Sequence, residues 1–189
     1  IRKAENKDVP EIAELSCKVY GDHQYTEKQI KAHLRAFPQG QFVAESEGKV
    51  IGYCGTFRVT EDVALKPHSW SDITANGYLA RHNQNGDMLY GFEIFVDPDS
   101  RRQRIGQRFY DAQRDLCEEL ELKGIVFCGR MPQYAERKEK FDGPEDYVRR
   151  VERQEIEDSV ILFQLRNGFE IKGVFKDYLK EDKESDGSA

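Results

Sequence analysis

Four arginines crowd into residues 101–108, at Arg101, Arg102, Arg104 and Arg108, with Gly106 among them. The chemistry of such a turn is anion binding. Guanidinium groups fork onto phosphate oxygens, and a glycine lets the backbone come close at no steric cost. Just upstream, one carboxylate, Glu93, stands in the apolar run Leu89 to Val96. A carboxyl group there is expected to hold its proton more tightly than usual and to act as a base near neutral pH. Each feature also has a plainer reading, a solvated helix face for the arginines and a structural ion pair for Glu93. The histidines (His23, His33, His68, His82) and cysteines (Cys17, Cys54, Cys117, Cys128) are scattered. They show no zinc or Ser-His-Asp spacing, so no metal is expected. Four thiols in apolar segments read as free and buried, in a reducing cytoplasm.

The elements that must position these groups can be read from pattern. Leu89 to Val96 is long enough for one buried strand, and Pro98 ends it. Strict alternation would put Leu89, Gly91, Glu93 and Phe95 on one face and Tyr90, Phe92, Ile94 and Val96 on the other. Ile105, Phe109, Ala112, Leu116 and Leu120 recur every three or four residues as the inner face of a helix. The arginines therefore lie between a strand and a helix N-terminus, where free N–H groups and the helix dipole favour phosphate. Upstream, residues 1–4 read as a short strand. A helix capped by Asp8 with Glu11 as a capping box follows, then a second helix boxed by Thr26 and Gln29. Gln41 to Glu45 and Lys49 to Val59 read as two strands of a hairpin joined by Ser46-Glu47-Gly48.

Residues 60–87 form a long polar insertion holding Trp70, Ile73, Tyr78 and Leu79, read either as a loop docked on the sheet or as a substrate lid. Gly124 to Cys128 reads as a buried strand beside the central one. Residues 130–157 form a second, densely charged insertion with a surface helix near 145–153. Ile156 to Arg166 reads as a helix, Phe169 to Phe175 as a strand, and 179–189 as a polar tail. The order of elements gives an α+β fold in a single domain, 1–189.

The segment Val96-Asp97-Pro98-Asp99-Ser100-Arg101, continuing to Gly106, resembles the acyl-CoA-binding motif of GNAT superfamily N-acetyltransferases, Gln/Arg-x-x-Gly-x-Gly/Ala. Arg101 and Gly106 take motif positions, and Arg104 stands where the family usually has its first glycine. Phe163-Gln164-Leu165-Arg166-Asn167-Gly168-Phe169 resembles the family's Phe-Tyr-x-x-x-Gly-Phe segment, with Gln164 in the tyrosine's place. The resemblance implies a mixed, mostly antiparallel central sheet flanked by helices, interrupted by the two insertions. It implies acetyl-CoA as cosubstrate, held by Phe95, Val96, Arg101, Arg102, Gln103, Arg104, Ile105, Gly106 and Gln107. It also implies acetyl transfer to a small-molecule or peptide amine by direct attack.

The catalytic candidates are then Glu93 as base, Tyr90 as its substitute, and Gln164 at the position from which the family protonates the departing thiolate. Gln164 has no proton to give, which leaves Tyr134, Tyr147 or water. The two departures, Arg104 and Gln164, keep open an alternative: a catalytically weak acyl-CoA-binding module that regulates or docks a partner. A narrower likeness is to GNAT domains that precede a carbon–nitrogen hydrolase domain in bacterial proteins. The family's last strand then lies beyond Ala189 or comes from a second copy, so that the chain is part of a longer protein or of a homodimer.

A net charge of −6 with pI near 5.4 argues against general nucleic-acid binding, which depends on neutralising phosphates. No apolar run is long enough to span a membrane.

Overall fold

Five strands make one sheet whose spatial order is the chain order: β1 (Arg2–Lys3), β2 (Gln41–Ser46), β3 (Lys49–Val59), β4 (Met88–Val96) and β5 (Gly124–Phe127). All neighbours are antiparallel except β4 and β5, which are parallel. A parallel neighbour needs a crossover, and the helix α5 (Ile105–Glu119) supplies it. This computed structural model describes all of residues 1–189. They gather into two units, residues 1–66 with 71–127, and residues 67–70 with 128–189.

In the first unit, α1 (Val9–Tyr20) and α2 (Glu27–Ala36) precede the sheet. Adjacent strand residues point to opposite faces, and Tyr53 and Cys54 of β3 show which elements cover each. The Tyr53 ring meets His33 of α2, whereas Cys54 Sγ accepts a hydrogen bond from Gln113 of α5 at 3.0 Å. Thus α1 and α2 cover one face and α5 the other. Thr26 and Gln29 form the expected capping box on α2. Asp8 does not cap α1 with its side chain. Its carboxylate accepts from Arg2 at 2.7 and 2.8 Å and from the Glu5 N–H at 2.8 Å, and Glu11 instead accepts from the Val50 N–H at 2.9 Å. The hairpin turn has positive φ at Glu47 and Gly48, as a two-residue turn between twisted strands requires.

The first insertion contains two short helices, α3 (Glu61–Leu65) and α4 (Trp70–Thr74). Ile73 and Leu79 are buried and Tyr78 is exposed. Ala75, Asn76, Gly77 and Leu79 all have positive φ, a conformation that costs residues with a Cβ. Hydrogen bonds from α2 hold this bend: Gln29 Nε2 donates to Asn76 O at 3.1 Å, and His33 Nε2 lies 2.8 Å from Gly77 O. Trp70 groups with the second unit, where its N–H donates to Tyr178 O.

The second unit packs α6 (Pro144–Glu152) and α7 (Ser159–Arg166) around Met131, Tyr134, Tyr147, Val148, Val151 and Ile161. The expected surface helix near 145–153 thus buries one face. α7 starts at Ser159, not Ile156, because the Asp158 carboxylate accepts the N–H groups of Val160 and Ile161. Residues 169–175 form no strand. A strand needs a ladder partner, and the unit offers only a short pairing of Phe175 with Ala189. The polar end of the chain is folded in: Arg130 holds Asp182 and Glu184, and Ser185 accepts the Met131 N–H. β5 is half-buried rather than buried, being the sheet's edge, and Cys17 is exposed, contrary to the expectation of four buried thiols.

Candidate active site

The face on which Glu93 lies is decided by one irregularity in β4. Gly55 pairs with Glu93 but Thr56 pairs with Gly91, so Phe92 is an extra residue opposite the β3 ladder. A β-bulge of this kind re-aims the side chains that follow it. Phe92 and Phe95 both lie against Tyr25, and Phe92 also against His33 at 4.9 Å. Glu93, on the same side, accepts hydrogen bonds from Tyr20 at 2.7 Å (Oε1) and from Tyr25 at 2.9 Å (Oε2). Strict alternation is therefore broken: Glu93 and Phe95 do not share the face of Leu89 and Gly91. Gly91 looks toward Gln113 of α5 and Phe127.

Two phenol donors to one carboxylate favour its ionised form, and this opposes the expected effect of the apolar strand. Tyr20 is half-buried at the end of α1, and Tyr25 is 6% exposed. Burial first, then the neighbouring Glu93 charge, holds the Tyr25 phenol well above its usual range. Neither tyrosine was singled out from sequence. Both sit far from Glu93 along the chain, and only the gap between α1 and α2 hints that this segment turns back onto the sheet. Tyr90 is fully buried, its ring tilted against Phe57 at 5.4 Å.

β4 also has an edge that β5 leaves uncovered. The β4–β5 ladder ends with Gly91 opposite Phe127, while β4 continues to Val96. On the other side, the Asp97 N–H donates to Ile51 O at 2.9 Å. Along an antiparallel ladder successive N–H groups alternate in direction. Phe95 is thus bonded toward β3, and the Val96 N–H points away from β3, into the gap. Of the two expected backbone positions, Val96 has the open geometry.

The arginine turn follows directly. Asp97 caps the short 3₁₀ turn Pro98–Ser100, its side chain accepting the Asp99 N–H at 2.9 Å. Arg102 (φ 66°) and Arg104 (φ 57°) are left-handed, and Arg104 is the N-cap of α5 with no side-chain hydrogen bond to the helix. Left-handed residues interspersed in a turn make a concave nest of N–H groups. The first intrahelical bond runs from Arg108 N–H to Arg104 O, so Ile105, Gly106 and Gln107 present the N–H groups of an uncapped helix start. Arg101, Arg102, Gln103, Arg104, Gln107 and Arg108 are exposed, Gly106 is half-buried and Ile105 is buried in the core. None of the four arginines is ion-paired with a carboxylate of the chain, whereas Arg2, Arg114 and Arg130 are. The donor set suits a pyrophosphate.

Gln164 lies in the second unit, on α7, its amide packed over Gly129, where an added Cβ would lie 2.9 Å from Gln164 Cδ. Tyr147, the other proton candidate on a helix, is fully buried and donates to Asp158 at 2.7 Å. No cluster of His, Cys, Asp and Glu able to hold a metal ion is present, and no helix is long and apolar enough to cross a membrane.

Residues 7–138 match the acetyltransferase (GNAT) family. Two proteins of Bacillus subtilis (strain 168) are similar in sequence. An uncharacterized N-acetyltransferase, YkwB, is 30% identical over 161 residues, covering 85% of this chain and 70% of that protein. A probable hydrolase, YhcX, is 40% identical over 186 residues, 98% of this chain, but the chain spans only 36% of that protein's length. Among solved structures, the GphF GNAT-like decarboxylase in complex with isobutyryl-CoA superposes with a TM-score of 0.81 at 23% identity, over 99% of this chain and 94% of that one. The loading GNATL domain of CurA from Lyngbya majuscula gives 0.84 at 18% identity, over 99% and 92%. At those identities the likeness is one of fold.

Proposed function

Because this chain belongs to the GNAT acetyltransferase family, we propose that it moves an acetyl group from acetyl-CoA to a primary amine, by direct attack within one ternary complex. The observation that carries this reading is the open edge of β4, which has an aimed N–H at Val96, a carboxylate at Glu93 and a helix start ringed by unpaired arginines at Arg101–Arg108.

In this reading the N–H groups of Ile105, Gly106 and Gln107, with Arg101, Arg102 and Arg104, hold the phosphates. The Val96 N–H donates to the thioester oxygen, where negative charge grows as the amine attacks. Glu93, held in place by Tyr20 and Tyr25, takes the proton that the amine must lose. General-base assistance of this kind is typically worth ~10²–10⁴-fold. Tyr90, sealed in the core, is the weaker candidate for that role. The thiolate, a good leaving group, takes its proton from water, since Gln164 has none to give.

The four free thiols suit a reducing compartment. We take residues 1–189 to act as one acyltransferase domain, and the match to part of a probable hydrolase supports placing it in a longer protein beside a hydrolase domain.

The test is release of CoA from acetyl-CoA across a panel of primary amines, with Glu93→Gln beside the wild type. The variant should lose about 10²-fold or more in kcat near pH 7, keep its acetyl-CoA affinity, and recover in part at high pH where the amine is already neutral. Wild-type-like kcat in Glu93→Gln would remove Glu93 from the mechanism. Acetyl-CoA binding with no turnover on any amine would favour the binding-module reading.

A further inference from the structure

The last turn of α1 reaches β4 and the turn after it through two side chains. Tyr20 donates to Glu93 Oε1 at 2.7 Å. Two residues earlier, Lys18 places Nζ 2.7 Å from Asp97 Oδ1 and 2.7 Å from Asp99 Oδ2. Those two carboxylates open the turn whose next residues are the arginines. Asp97 is largely covered and fixed further by the Asp99 N–H, while Asp99 itself is exposed. The bond to Lys18 holds the Asp97 carboxyl below the usual range. An anion settling on the start of α5 would meet both carboxylates in the same turn. Lys18 is the cation bonded to both.

We propose that Lys18 is a positioning residue for acyl-CoA binding: it offsets the Asp97–Asp99 pair and ties the arginine turn to the helix end that carries Tyr20. One turn of α1 then holds the phosphate site through Lys18 and the base through Tyr20. The proposal rests on the placement of acetyl-CoA on the arginine turn, and Gly106→Glu, which adds bulk and charge at the helix start, tests that placement separately.

The experiment is calorimetric titration of acetyl-CoA into the wild type, Lys18→Met, Lys18→Arg, the double variant Lys18→Met/Asp99→Asn, and Gly106→Glu. Removing one positive charge bonded to the turn that leads into the phosphate site should weaken binding about five-fold in low salt. Lys18→Arg should bind within about two-fold of wild type, since the charge is kept. Asp99→Asn in the Lys18→Met background should recover most of the loss, which a merely structural role for Lys18 would not give. Lys18 is a half-exposed side chain, so the melting temperatures of its variants should stay near wild type. Unchanged affinity in Lys18→Met while Gly106→Glu fails to bind would overturn the role of Lys18 and leave the placement standing. A Lys18→Met loss that Asp99→Asn does not restore would overturn it too. Wild-type affinity in Gly106→Glu would overturn the placement, and the proposal with it.

Discussion

Gly55 stands opposite the β4 bulge, and replacing it with alanine tests whether that bulge sets the site. A Cβ at position 55 would lie 2.6 Å from Phe92 Cε1 and 3.1 Å from Cε2, with Cζ nearer still. Phe92 has little room to yield, because its ring already meets His33 at 4.9 Å, Phe57 at 5.9 Å and Tyr25 at 6.4 Å. Over-packing of a filled core costs about 1–3 kcal/mol. For a protein of this size that is a fall in Tm of roughly 2–4 °C per kcal/mol. The strain falls on the residue beside Glu93, so kcat should drop as well, since a misplacement near 1 Å can cost on the order of 10²-fold. Gly91→Ala is the control on the same strand. Its Cβ would meet nothing closer than Phe127 Cβ at 3.5 Å and Gln113 Nε2 at 3.6 Å. That variant should hold its Tm, or gain about 0.4–1 kcal/mol by restricting the unfolded chain. Melting curves and acetyl-transfer rates on the two variants decide the matter. A Gly55→Ala protein that melts with the wild type, or a Gly91→Ala protein that loses as much, would refute the argument.

Two further outcomes are expected. Arg104→Gly removes a Cβ from a left-handed residue, which costs about 1–2 kcal/mol, against about 0.5–1 kcal/mol for the extra freedom of glycine when unfolded. Calorimetry should therefore show a Tm at or slightly above wild type, and a clear fall would count against backbone strain there. Burial lowers the His33 pKa from 6.5 to about 4, so the folded protein binds fewer protons than the unfolded chain between those values. The stability His33 contributes is then complete above about pH 6.5 and lost as pH falls toward 4, by at most about 3 kcal/mol. Urea midpoints at pH 7.5 and 4.5 should differ less in His33→Gln than in the wild type, and equal differences would refute this.

Local signals carried most of the first unit. Thr26 and Gln29, the Glu47-Gly48 turn and the apolar period from Ile105 to Leu116 all act between near neighbours, and each element lies where its pattern puts it. Asp8 looked like a helix cap because the pattern cannot show that Arg2 claims its carboxylate. The bulge at Phe92 was invisible for a similar reason. An extra residue in one strand shows only against its partner strand, so alternation put Glu93 on the wrong face and gave no hint of Tyr20 or Tyr25. Arg104 could be read as a missing glycine, but only the backbone shows that the position is left-handed. Residues 169–175 have strand composition without a ladder to join. α6 looked like a surface helix because its charges outnumber Tyr147, Val148 and Val151, which form its buried stripe.

The sheet's order has a kinetic side. Since β1 to β5 lie side by side as they occur in the chain, no strand has to slip between two already in place. The β2–β3 hairpin closes over the shortest loop, and the others add at a growing edge. Only β5 arrives by a crossover, and its ladder pairs are the fewest of any neighbouring strands except β1 with β2. Loop closure charges entropy before long-range pairing repays it. Formation of the short β4–β5 ladder, the one that leaves the strand open from Phe92 onward, therefore belongs to the late steps of folding.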